Sequence, residues 1–135
     1  MKKLEIMAEV ENLGEVTAFI DEQLDGADCP MKVKMQLDLA LEEIFVNIAS
    51  YAYAPEKGTA TIGIDITEDR RAVLTFEDSG TPYDPIARED PDITLPANER
   101  QIGGLGIFMV KKTMDDVRYE YRDGKNILTI AKKLE

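Results

Sequence analysis

The sequence has no histidine and no tryptophan, and its only cysteine is Cys29. Without an imidazole ring, His-based catalytic triads, His-ligated zinc sites and phosphohistidine relays are excluded. Chemistry in this chain therefore runs through carboxylates, hydroxyls or lysine. A lone cysteine makes no internal disulfide, in keeping with a reducing compartment. No apolar run reaches the roughly 18 to 20 residues of a membrane-spanning helix, and Met1-Lys2-Lys3-Leu4-Glu5 lacks the apolar stretch of a signal peptide. These absences point to the cytoplasm. Positive charge is also scarce, since 16 Lys and Arg stand against 27 Asp and Glu for a net charge of −11. That field repels nucleic acid and anionic membranes, which leaves a protein or a small molecule as partner. The basic pairs Lys111-Lys112 and Lys132-Lys133 read as solvated ends of a helix and a strand.

The 135 residues suit one domain, 1–135, and 44% hydrophobic with 32% charged residues is a globular composition. Leu4, Ile6, Ala8 and Val10 alternate as a half-buried first strand. Asn12 followed by Glu15 marks a helix start, and Leu13, Val16, Ile20 and Leu24 give that helix its buried face. From about Pro30 to Ala52, Val33, Leu37, Leu41, Ile44 and Ile48 form one helical stripe. Ile62, Ile64 and Ile66 alternate as a strand, joined through Glu68-Asp69-Arg70-Arg71 to a second strand over Val73 to Asp78. Ser79 to Ile102 contains Pro82, Pro85, Pro91 and Pro96 and no periodicity; a loop this long in a small domain is usually functional, often a lid. Gly103-Gly104-Leu105-Gly106 opens a short helix with Ile107, Val110 and Met114 inward. Val117 to Tyr121 and Asn126 to Ala131 form a closing hairpin around Asp123-Gly124.

Three features in this frame carry candidate chemistry. Glu43 and Asn47, four residues apart, lie about 40° from each other around the long helix, so both can face one ligand. Ala40 and Ile44 flank them on one side and Leu39 and Val46 on the other, so a carboxylate there is partly desolvated, which raises its pKa toward values useful to a general base. The Asn amide supplies an oxygen for a hard cation such as Mg²⁺. Taken alone, the pair reads more readily as the surface of an amphipathic helix. In Phe76-Glu77-Asp78-Ser79-Gly80 an apolar strand delivers a carboxylate at its end, which is also plain turn chemistry. Gly103-Gly104-Leu105-Gly106 lets backbone amides at a helix start approach phosphate, or simply permits close packing. Walker and Rossmann motifs do not fit, because no Gly-Lys-Ser or Gly-Lys-Thr follows and no parallel βαβ unit feeds the helix.

The order of the features is the stronger signal: Glu-x-x-x-Asn on a helix, Asp-x-Gly after a strand, a long lid, then Gly-x-Gly at a helix start. In that order the chain resembles the GHKL ATPase superfamily, with Glu43 to Asn47, Asp78 to Gly80 and Gly104 to Gly106 similar to its N, G1 and G2 boxes. The likeness is greatest to the stand-alone serine kinase anti-sigma factors and spans nearly the whole chain, including Met114-Asp115-Asp116-Val117. Two positions depart from the pattern: Tyr51 stands where many members carry histidine, and the lid is rich in proline.

The resemblance implies an α+β two-layer sandwich, the Bergerat (histidine-kinase-like ATPase) fold, with a mixed, mainly antiparallel sheet and helices on one face. It implies ATP and Mg²⁺ as cofactors, Glu43 as general base and Asn47 as magnesium ligand. Asp78 and Gly80 would hold the adenine amino group and its turn. Gly103, Gly104, Leu105 and Gly106 would form the phosphate-side turn, and Arg100 in the lid would reach the terminal phosphate. The implied activity is phosphorylation of a serine or threonine on a small anti-sigma-factor antagonist, alternating with binding of a sigma factor, in a protein that can form homodimers. A non-catalytic nucleotide-binding partner-switch module is the alternative.

Overall fold

Alternation of apolar and polar residues decides which face of each strand is buried, and the five strands share that face. The computed structural model describes residues 1–53, 56–85 and 104–135. Strand β1 (Lys2–Met7) leads through a 3₁₀ turn (Val10–Asn12) to α1 (Leu13–Gly26) and α2 (Met31–Asn47). A single π-helical turn (Ile48–Ala52) ends α2, followed by β2 (Thr59–Ile66), β3 (Arg71–Asp78), α3 (Gly104–Thr113), β4 (Asp116–Arg122) and β5 (Lys125–Lys133). The sheet order is β1-β2-β3-β5-β4, and every one of its neighbouring pairs is antiparallel.

Register places Leu4, Ile62, Phe76, Leu128 and Tyr119 in one row across the sheet, with Ile6, Ala60, Asp78, Asn126 and Tyr121 in the next row on that face. Along β3 the buried set Ala72, Leu74, Phe76 and Asp78 alternates with half-buried residues, as a sheet covered on one side requires. The cover is helical. Val16, Ile20 and Leu24 of α1, Leu37, Leu41, Ile44 and Phe45 of α2, and Val110 of α3 with the following Met114 join the strand residues in one core. The expected two-layer α+β sandwich is therefore present.

Several local expectations are refined. Asn12 makes no side-chain cap on α1; its Nδ2 instead donates to the Met7 carbonyl at 2.9 Å, holding the 3₁₀ turn against the end of β1. Val10 is in that turn and exposed, so the first strand ends earlier than its alternation suggests. Asp123 and Gly124 both have positive φ, 55° and 77°, the mirror-image turn that suits a tight antiparallel hairpin. The long helix runs regularly only to Asn47, and its last stretch widens into the π turn. Residues 86–103, which hold most of the expected lid, lie outside the described residues.

Candidate functional site

Between α2, the π turn and the sheet lies a cavity of about 230 Å³. Ile44, Asn47, Ile48 and Tyr51 form its helical wall, Phe76, Asp78, Asn126, Leu128 and Tyr119 its sheet wall, and Thr81 to Tyr83 and Ile107 its rim. The walls are mainly apolar, with few polar groups converging between them, the usual make-up of a small-molecule site.

At the sheet end the polar groups are tightly organised. Asp78 closes the buried face of β3 and is only 7% exposed, so its carboxylate needs partners. Its Oδ1 accepts the Gly80 N–H at 2.9 Å and the Asn126 Nδ2 at 2.9 Å. Asn126 sits opposite Asp78 in the β3–β5 register and is itself 5% exposed. Its Nδ2 also donates to the Thr81 carbonyl at 3.0 Å, while its Oδ1 accepts from the Tyr83 N–H at 3.1 Å and from the Tyr119 hydroxyl. Burial raises the Tyr119 phenol above its ordinary pKa, and a backbone hydrogen bond from Tyr83 opposes this.

The π turn completes this end. It carries the Ala52 carbonyl to the Thr81 N–H at 2.8 Å, and a Cβ at Gly80 would overlap the Ala52 backbone. Only glycine allows that approach. Tyr53, just after the turn, donates its hydroxyl to the Thr59 carbonyl at 2.6 Å and accepts the Ser79 N–H at 2.7 Å, tying the exits of α2 and β3 together. π turns recur where a helix must place groups at a functional site.

The helix end is built differently. Asn47 lines the cavity, and one turn earlier Glu43 lies half-buried against α3, so close that a Cβ at Gly106 would overlap its carboxylate. Among the described residues no hydrogen bond reaches the Glu43 carboxylate. Burial raises its pKa, with the neighbouring charge of Glu42 adding to the effect, in the direction expected from the helical pattern. The surroundings differ from that pattern on one side: Ala40 and Ile44 are buried, whereas Leu39 is 66% exposed, so one apolar strip flanks the pair rather than two.

Of the sequence-derived residues, Asn47 and Asp78 line the cavity, Gly80 follows Asp78 at the sheet end, and Glu43 with Gly106 form a contact one turn of α2 from Asn47, beside the lining rather than in it. Gly104 and Leu105 occupy the first turn of α3. Arg100 and Gly103 lie outside the described residues. Sequence reasoning missed Asn126, Tyr119, Ala52 and Tyr53. A signal for Asn126 was available, because it heads the inward alternation Asn126, Leu128, Ile130 and is the one polar residue in that series.

Comparison with known proteins agrees with this architecture. The family model described as histidine kinase-like ATPase domain matches residues 6–132. The serine/threonine-protein kinase BtrW of Bordetella bronchiseptica is 32% identical over 74% of this chain and 70% of its own length. The serine-protein kinase RsbW of Listeria monocytogenes is 32% identical over 68% of this chain and 61% of its own. RsbW of Bacillus cereus is 27% identical, with 59% of its length covered. Among solved structures, the blue-light activated histidine kinase of Erythrobacter litoralis shares the fold with a TM-score of 0.55 and 19% identity, over 78% of this chain and 34% of that one. Acinetobacter baumannii histidine kinase AdeS matches all of this chain and 70% of its own with a TM-score of 0.52 and 16% identity. With the family model spanning nearly the whole chain, the chain belongs to the histidine kinase-like ATPase domain family.

Proposed function

We propose that the cavity binds Mg-ATP and that the chain is an ATP-dependent protein serine/threonine kinase. The observation that carries this reading is an apolar cavity lined by a buried carboxylate, Asp78, and the Asn47 amide, with a half-buried carboxylate, Glu43, pressed against Gly106 one turn of α2 away. Among the described residues both hydrogen bonds to Asp78 fall on Oδ1, which leaves Oδ2 to accept from the amino group of adenine. Phe76, Ile48 and Leu128 supply the apolar walls a purine ring needs. The names of the kinases to which the chain is similar support the same activity.

Glycine at 106 lets the start of α3 come up against the Glu43 carboxylate, and the amides at the start of α3 face negative charge favourably. Asn47, a neutral oxygen donor on the cavity wall, suits a hard divalent cation, as does the adjacent carboxylate. Bound magnesium would neutralise phosphate charge during transfer. Glu43 would accept the proton of the attacking hydroxyl, a role helped by its raised pKa. The substrate we assign is a small anti-sigma-factor antagonist, with a sigma factor held in the alternative complex, as the serine kinase anti-sigma resemblance implies.

The test is incubation with γ-labelled Mg-ATP and candidate antagonist proteins, scored for phosphoserine or phosphothreonine. Transfer to one of them, lost in Glu43→Gln, is the expected result. A parent that binds ATP and transfers to none would replace the kinase reading with the partner-switch module.

A further inference from the structure

Asn126 stands at the centre of a hydrogen-bonded unit that none of the sequence motifs includes. Its amide orientation is fixed by its neighbours, because the Tyr83 N–H can only donate and the Thr81 carbonyl can only accept. Both acceptor positions of Oδ1 are filled, by Tyr83 and Tyr119, and both hydrogens of Nδ2 are used, toward Asp78 and Thr81. Asn126 therefore keeps no capacity for a ligand, although it lines the cavity.

What it does instead is orient the group that has capacity to spare. Its bond to Oδ1, with that of Gly80, fixes the Asp78 carboxylate and leaves Oδ2 as the acceptor. The same side chain ties the segment after β3 to β5, and through the Tyr119 hydroxyl to the edge strand β4. Resting on the nucleotide reading above, we propose that Asn126, anchored by Tyr119, is a positioning residue that sets the cavity's preference for a purine carrying a 6-amino group. Recognition of the base and placement of the chain leaving β3 then form one cooperative network, in which a buried amide saturated on all sides specifies a single geometry.

The experiment compares ADP with purine riboside 5′-diphosphate, which lacks only the 6-amino group, by calorimetry on the full chain. A hydrogen bond to a charged acceptor predicts that the parent prefers ADP by about 10- to 100-fold. Asn126→Ala should bring that preference to within about threefold of one, through weaker ADP binding with the analogue less affected. Tyr119→Phe removes only the anchoring hydroxyl, which is the smaller perturbation, and should lower the preference by about 2- to 5-fold while the variant stays folded with a modestly lower melting temperature. It decides the matter if Asn126→Ala does not fold. Parental preference in either folded variant, or equal loss of both ligands, overturns the positioning role while leaving the nucleotide site standing. A parent that binds the two ligands equally overturns the site assignment and this inference together.

Discussion

The sheet end of the cavity and the helix contact beside it are built on opposite principles. At the sheet end, register brings Asp78 and Asn126 together from strands 48 residues apart, and hydrogen bonds to backbone and side chains fix them. At the helix end, Glu43 is held by packing against Gly106 and no hydrogen bond among the described residues constrains its carboxylate. The difference teaches how the site divides its work. A group that must recognise the same base each time is best preorganised, since a saturated network resists rearrangement. A group that must exchange a proton is best left partly desolvated and unpaired, because strong partners would hold its charge and lower its pKa.

The comparison breaks most visibly at Glu43. Glu43→Gln keeps size and polarity but removes the base, so phosphotransfer in single-turnover measurements should fall by about 10² to 10⁴ while ATP affinity persists. On the proposed assignment only ionised Glu43 accepts the proton, so its raised pKa should move the acid limb of the pH–rate profile above that of an exposed glutamate. A variant that transfers at the parental rate would remove Glu43 from the chemistry.

Next in size is a contrast between glycines. A Cβ at position 80 meets the Ala52 backbone, which cannot step aside, so Gly80→Ala should cost about 1 to 3 kcal/mol of stability by denaturant unfolding. A Cβ at position 106 meets the end of a flexible glutamate side chain, which can swing away. Gly106→Ala should therefore change stability by less than about 1 kcal/mol, helped by the better helix propensity of alanine, yet displace Glu43 and depress transfer. Equal destabilisation by both substitutions would mean that the two ends are equally rigid.

Outside the cavity, Asp21 of α1 and Asp38 of α2 show what an unsatisfied carboxyl pair does. Among the described residues each has an Oδ1 atom buried without a partner, and burial, followed by a hydrogen bond between the two carboxyls and the charge of Asp21, raises Asp38 to about 7. Lys34 opposes the rise and Asp25 adds to it. The folded state then holds a proton that the unfolded chain has already released, so this pair makes stability fall as pH rises from about 4 to about 7. Water reaches much of the pair, so the effect is the smallest of the set, on the order of 1 kcal/mol. Asp38→Asn should flatten that part of the stability–pH curve and be more stable than the parent at pH 8. An unchanged slope would show that the pair is not coupled to folding.

The same contrast governs what the sequence reveals. Glu43 and Asn47 are legible because helical spacing is local, and Asp78 because a carboxylate ending an apolar alternation is conspicuous. Glycines 80 and 106 signal close approach without naming what approaches. Asn126 shows in the sequence only as the polar head of an inward apolar alternation, and its role exists only through non-local register with β3. The π turn at Ile48–Ala52 has no sequence signature of its own, since the apolar period continues through it. Leu39 was expected to share a buried strip, but the far side of α2 faces outward there.

The most direct test of the account is the thermal stability of the chain with and without saturating Mg-ADP, for the parent and Asp78→Asn. A ligand at about 100 times its dissociation constant adds roughly 2.7 kcal/mol, which for a domain of this size raises the melting temperature by about 5 °C. The parent should show that rise, and Asp78→Asn should lose nearly all of it. A parent whose melting does not move, or an Asp78→Asn protein stabilised as strongly as the parent, would contradict it.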